Sequence, residues 1–78
     1  MSDIRKTLRK RSLTIAGHRT SISLETEFWT ALAAAAKTQN KSLAALVAEI
    51  DQSRDNQNLS SAIRIWLFIR ASAGNLKI

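Results

Sequence analysis

The stretch Arg19-Thr20-Ser21-Ile22-Ser23-Leu24 decides the fold, because polar and apolar residues alternate along it and it runs straight into a helix start. Strand side chains point to opposite faces in turn. Thr20, Ile22 and Leu24 therefore face a core, while Arg19, Ser21 and Ser23 face outward. Just upstream, Arg11-Ser12-Leu13-Thr14-Ile15 alternates in the same way and can form a second strand. Glycine at the first central position of a two-residue loop is a type II′ signal, so Gly17-His18 is predicted at a hairpin tip. Ile15 then stands opposite Thr20, and Leu13 opposite Ile22. Directly opposed residues share a face, so Leu13, Ile15, Ile22 and Leu24 point inward together.

Three helical patterns follow. Glu25 and Glu27 fall in the first turn of the first, where the helix dipole favours acids, with the boundary at Ser23 or Leu24. Phe28, Leu32, Ala35 and Ala36 keep a helical spacing, and Asn40, which tolerates positive φ, is its predicted stop. Ser42 is a good N-cap for the second helix. Its stripe of Leu43, Leu46, Val47 and Ile50 has the i, i+3, i+4, i+7 spacing of an amphipathic face. A polar connection runs from Ser53 to Asn58, and Ser60 or Asn58 caps a third helix. There Ile63, Ile65, Trp66, Leu67, Phe68 and Ile69 are apolar nearly all round. A helix without a polar face is normally buried, and in so small a chain the natural burial site is a subunit interface. The predicted organisation is a flexible basic arm over residues 1–10, one domain over 11–71 and a frayed tail over 72–78. The fold class is mainly α with a short β-ribbon or hairpin.

Size and charge narrow the function. The chain has 78 residues and no cysteine. A chain this short buries only about 60% of the surface that its unfolded form exposes. With no disulfide or metal staple, oligomerisation is the remaining source of stability. The formal net charge is +6, and residues 1–20 hold Arg5, Lys6, Arg9, Lys10, Arg11 and Arg19 against Asp3 alone. That imbalance suits a polyanion. The arm lacks the leucine and aromatic face of a membrane-surface helix, and the run from Ile65 to Ile69 is too short to span a bilayer. No apolar stretch follows the basic start, so no secretory signal is read and a cytoplasmic location is expected. A cysteine nucleophile, a glycine-rich phosphate loop and a metal-ligand spacing are all missing, and a single histidine makes no triad. No enzyme activity, cofactor, metal or small-molecule ligand is expected.

Gly17-His18-Arg19-Thr20-Ser21-Ile22-Ser23-Leu24-Glu25, then Phe28-Trp29-x-x-Leu32, Ser42-Leu43-x-x-Leu46-Val47 and Ala62-Ile63-Arg64, resembles the ribbon-helix-helix superfamily of the Arc and MetJ repressors. More narrowly, it is similar to a group of short bacterial proteins built on that domain. The resemblance spans roughly residues 11–69 and includes an extra C-terminal helix. It implies an intertwined homodimer that binds double-stranded DNA and regulates transcription. Two chains would pair one strand each into a ribbon that enters the major groove. Carried over, Arg19, Ser21 and Ser23 read base edges. Arg5, Lys6, Arg9, Lys10 and Arg11 meet phosphates, as do Lys41 and Ser42 at a helix start. Ile22, Leu24, Trp66, Phe68 and Ile69 form the dimer interface. The stretch Ser60-Ser61-Ala62-Ile63-Arg64 also matches the start of the motif's second helix, which would bring Ser60 or Ser61 to the phosphate instead. Paired hairpins would make a four-stranded sheet too wide for normal groove insertion. The alternative function is therefore a dimerisation or protein-interaction module that keeps the fold without base reading.

Overall fold

The computed structural model describes residues 8–75. Strands β1 (Leu8–Ile15) and β2 (His18–Glu25) form an antiparallel hairpin, followed by helices α1 (Thr26–Thr38), α2 (Leu43–Ser53) and α3 (Leu59–Asn75). The helices cover one face of the hairpin. The arrangement is a ribbon, two helices and an additional C-terminal helix.

The hairpin tip differs from the sequence expectation. The loop residues are Ala16 and Gly17, with φ of 52° and 83°. Two consecutive positive φ values define a type I′ turn, whose twist matches that of the flanking strands. Ala16 accepts a left-handed conformation at a cost of about 1–2 kcal/mol. Ile15 therefore pairs with His18, Leu13 with Thr20 and Arg11 with Ile22. The shift from the expected pairing is two residues. Strand faces repeat every two residues, so the inward set survives the slip. Ile15, Ile22 and Leu24 are buried, and Leu13 packs against them.

β1 begins at Leu8, three residues inside the stretch expected to be a flexible arm. Residues 1–7 lie outside the described residues. α1 fastens this open end, because Trp29 Nε1 donates to Arg9 O at 3.0 Å. The Arg11 guanidinium stands 5.3 Å from the centre of the Trp29 ring. At the other end, α3 runs on through residues 72–75, which were expected to fray. Residues 76–78 lie outside the described residues.

Local signals set the helix ends. Glu25 is the N-cap residue of α1, one or two positions beyond the expected boundary. α1 stops in a Schellman arrangement at Asn40 (φ 59°). Lys41 N donates to Ala36 O at 2.9 Å and Asn40 N to Lys37 O at 3.1 Å, satisfying carbonyls that the last turn would orphan. Ser42 caps α2 by accepting from Ala45 N at 3.0 Å. Asn58, one of the two candidates, caps α3 by accepting from Ser61 N at 2.8 Å.

The core joins all five elements. Ile22 and Leu24 meet Trp29 and Leu32 of α1, Leu46, Val47 and Ile50 of α2, and Ala62, Ile63 and Leu67 of α3 in one cluster. Ala35 and Ala36 are also buried there, and their small side chains admit neighbouring helices. α3 is not buried all round. Phe68 is 70% exposed, Ile69 61% and Ile65 48%.

Candidate nucleic-acid interface

Alternation along both strands sorts the hairpin into two faces. The pairs Leu13–Thr20, Arg11–Ile22 and Arg9–Leu24 stand on the helix side. The pairs Lys10–Ser23, Ser12–Ser21 and Thr14–Arg19 stand on the opposite side. There Lys10, Ser12, Thr14, Arg19 and Ser21 are exposed and Ser23 is half-buried. The Ser12 and Ser21 hydroxyls lie 3.5 Å apart across the strands. The outward face is thus hydroxyls between two cations, Lys10 near the open end and Arg19 near the tip.

Arg19, Ser21 and Ser23 fall together on this face, as alternation predicts. Sequence reading leaves out Ser12 and Thr14, which stand beside them. The signal was available, because β1 alternates as clearly as β2. Lys10 belongs to the outward row rather than to an arm. Arg9 and Arg11 are on the helix side, where they border a cleft of about 550 Å³ with Thr26, Trp29, Thr30 and Ala33. Both arginines are solvent-exposed, so they form a cationic flank to the ribbon. Arg5 and Lys6 lie outside the described residues.

The other predicted contacts are already engaged within the chain. Lys41 forms an ion pair with Glu49, and the Ser42 hydroxyl accepts its own helix's N–H group. Ser60, the competing candidate for a phosphate, donates its hydroxyl to Ser23 O at 2.9 Å and ties the start of α3 to β2. Ile22 and Leu24, expected between subunits, are 1% and 0% exposed in a single chain, because the three helices supply the cover that a ribbon alone lacks. Phe68 and Ile69 remain open to water, and Trp66 is half-buried with Arg70 5.5 Å from its ring.

One charged contact holds the ribbon to its support. Arg64 of α3 donates from Nε to Glu25 Oε1 at 2.9 Å and from a terminal nitrogen to Oε2 at 3.3 Å. Its guanidinium also stands 5.9 Å from the Phe28 ring centre. The Arg64 hydrogen bonds, helped by Glu25's own backbone N–H, hold the Glu25 carboxyl below the usual glutamate range. Glu25 is the only acid in either strand, so Lys10 and Arg19 leave the outward face net positive, and the Arg64 pair offsets the Glu25 charge.

The hairpin thus carries a polar, cationic outward face on a helical base. The chain belongs to the ribbon-helix-helix domain family, whose sequence profile matches residues 8–71. Domains of this family are generally DNA-binding modules of transcription regulators and typically non-enzymatic. No curated protein and no solved structure gives a significant match. Among the described residues, no cluster of three or more potential ligands could hold a metal ion, and no helix is long and apolar enough to cross a membrane.

Proposed function

We propose that this protein is a sequence-specific DNA-binding homodimer and a transcriptional regulator. The observation that carries the reading is the outward hairpin face, where Arg19, Ser21 and Ser23 stand free of the core on a net-positive surface. An arginine can donate two bonds to guanine O6 and N7, and serine can bond several bases. Arg19 therefore supplies most of the discrimination. Arg9 and Arg11 flank the ribbon, and together with Arg5 and Lys6 they meet the phosphates that wall the groove. Lys41 and Ser42 add a weaker contact at the start of α2, since both already have partners within the chain.

The homodimer rests on α3. Phe68, Ile69 and Ile65 expose more apolar side chain than a lone domain keeps in water without reason, and Trp66 borders them. Pairing through this helix leaves the ribbon free, and Ile22 and Leu24 stay within each subunit's own core. The same apolar face favours the second reading, a protein-interaction module without base recognition.

Anisotropy titrations on a random duplex and on duplexes selected from a random pool, each across a salt series, separate the two. Neutralising about six phosphates gives a slope of about −5 for log K against log salt. Selected duplexes should bind at least tenfold tighter than random ones. A flat salt dependence contradicts DNA binding altogether. Salt-dependent binding without any sequence preference favours the interaction module.

A further inference from the structure

We propose that the reading blade is complete within one chain, with Lys10, Ser12 and Thr14 of β1 recognising bases alongside Arg19, Ser21 and Ser23 of β2. This rests on the DNA-binding reading above and goes further, because it removes the need for a strand from each of two subunits. The register places Lys10 opposite Ser23, Ser12 opposite Ser21 and Thr14 opposite Arg19, so six side chains share one face.

Three observations favour a single hairpin as the inserted unit. The first is width. Paired strands lie about 4.8 Å apart, and four strands measure about 14 Å between their outermost members before side chains are counted. The major groove is about 12 Å wide and admits a two-stranded ribbon. One hairpin fits, and two joined edge to edge do not.

The second is the edge of β2. In an antiparallel ladder the residues flanking a two-residue loop exchange both hydrogen bonds, and alternate pairs do not. Counting from Ile15–His18, Ser23 falls in a pair whose backbone groups point out of the sheet edge. Ser60 Oγ donates to that Ser23 carbonyl at 2.9 Å. The start of α3 thus occupies a position where a partner's strand would have to bond.

The third is charge and length. Lys10 and Arg19 carry the two cations of the face, on different strands and at opposite ends, and Glu25 beyond them is bound by Arg64. From Lys10 to Thr14 the strand rises about 13 Å. That length covers about four base pairs at 3.4 Å each. The blade therefore offers a guanine-seeking cation at each end of a short tract, with Ser12, Thr14, Ser21 and Ser23 between them. It has no twofold axis of its own, so the tract it reads is asymmetric.

The test uses the full chain and duplexes selected from a random pool. Dissociation constants on preferred and random duplexes are measured for the parent chain and for Lys10→Ala, Lys10→Arg, Ser12→Ala and Arg19→Ala. All three positions are exposed, and circular dichroism checks that each variant keeps its helices. Lys10→Ala is expected to lower the preferred-to-random ratio about five- to hundredfold at one end of the tract, as Arg19→Ala does at the other. Lys10→Arg should restore it, and Ser12→Ala should relax a position between them. Equal weakening of preferred and random duplexes by Lys10→Ala, with no change for Ser12→Ala, overturns the single-chain blade while an effect of Arg19→Ala leaves base reading intact. A parent chain with no preferred duplex overturns base reading itself, and the blade with it.

Discussion

The hairpin and α3 each turn one side to the core and one to water, yet the sides they leave uncovered are chemical opposites. The hairpin exposes Lys10, Ser12, Thr14, Arg19 and Ser21, while α3 exposes Ile65, Phe68 and Ile69. A polar face already solvated by water is exchanged readily for the polar edge of a duplex. An apolar helix face gains most by excluding water against another apolar face. One chain of 78 residues therefore carries two chemically distinct surfaces, and in the proposed reading the polar one meets a polyanion and the apolar one a second copy.

The largest effect separates the two faces of the hairpin. Ile22→Ala removes a fully buried side chain and should cost about 2–5 kcal/mol, read as a drop in thermal midpoint. Ser21→Ala, one residue away on the exposed side, should change stability by no more than about 0.5 kcal/mol. Similar losses from both would break the division into an inner and an outer face.

Next comes the exposed side of α3. Phe68→Asp combined with Ile69→Asp should raise the dimer dissociation constant at least a hundredfold, since burying each side chain is worth about 1.5–3 kcal/mol. Light scattering across concentrations checks this. A mass that stays at one chain in the parent protein removes α3 as an interface.

Arg19→Ala should weaken a preferred duplex by about 1–3 kcal/mol and leave thermal stability unchanged. Equilibrium titration beside a melting curve tests both halves.

Smallest is the link between the two regions. Glu25→Gln should cost about 1 kcal/mol, because the Arg64 pair is partly exposed and screened. The Glu25 carboxyl is lowered in the folded chain, so its stabilisation is fully present at neutral pH. It declines as pH falls below the ordinary glutamate value of 4.5 and is lost below the lowered folded value. Urea unfolding at several pH values should show the parent and Glu25→Gln chains converging in acid. A constant gap across that range contradicts the assignment.

The fold was legible wherever a periodic signal met a local stop. The α2 stripe and its Ser42 cap, the left-handed Asn40 and the inward row of Ile22 and Leu24 all stand where alternation and capping chemistry put them. The turn was less legible because Gly17 fits two loop types, and Ala16 adopts a backbone conformation that alanine rarely takes. The extra length of β1 was hidden by its basic residues. Arg9 and Lys10 look like a solvated arm in one dimension, and only the fold brings Trp29 to the Arg9 backbone. Lys10 reads as part of that arm because its neighbours are charged, whereas Ser12 and Thr14 are legible as an outward row from the alternation of residues 11–15. The bonds of Ser60 and Arg64 to β2 span 37 and 39 residues, and no local pattern encodes them.

The most direct test of the central claim is a backbone amide map of the ¹⁵N-labelled chain titrated with a selected duplex at low and moderate salt. Saturable shifts at Lys10, Ser12, Arg19 and Ser21, with the amides of Ile65, Phe68 and Ile69 unmoved, are the predicted result. Shifts confined to α3, with the outward hairpin residues unmoved, would contradict the account.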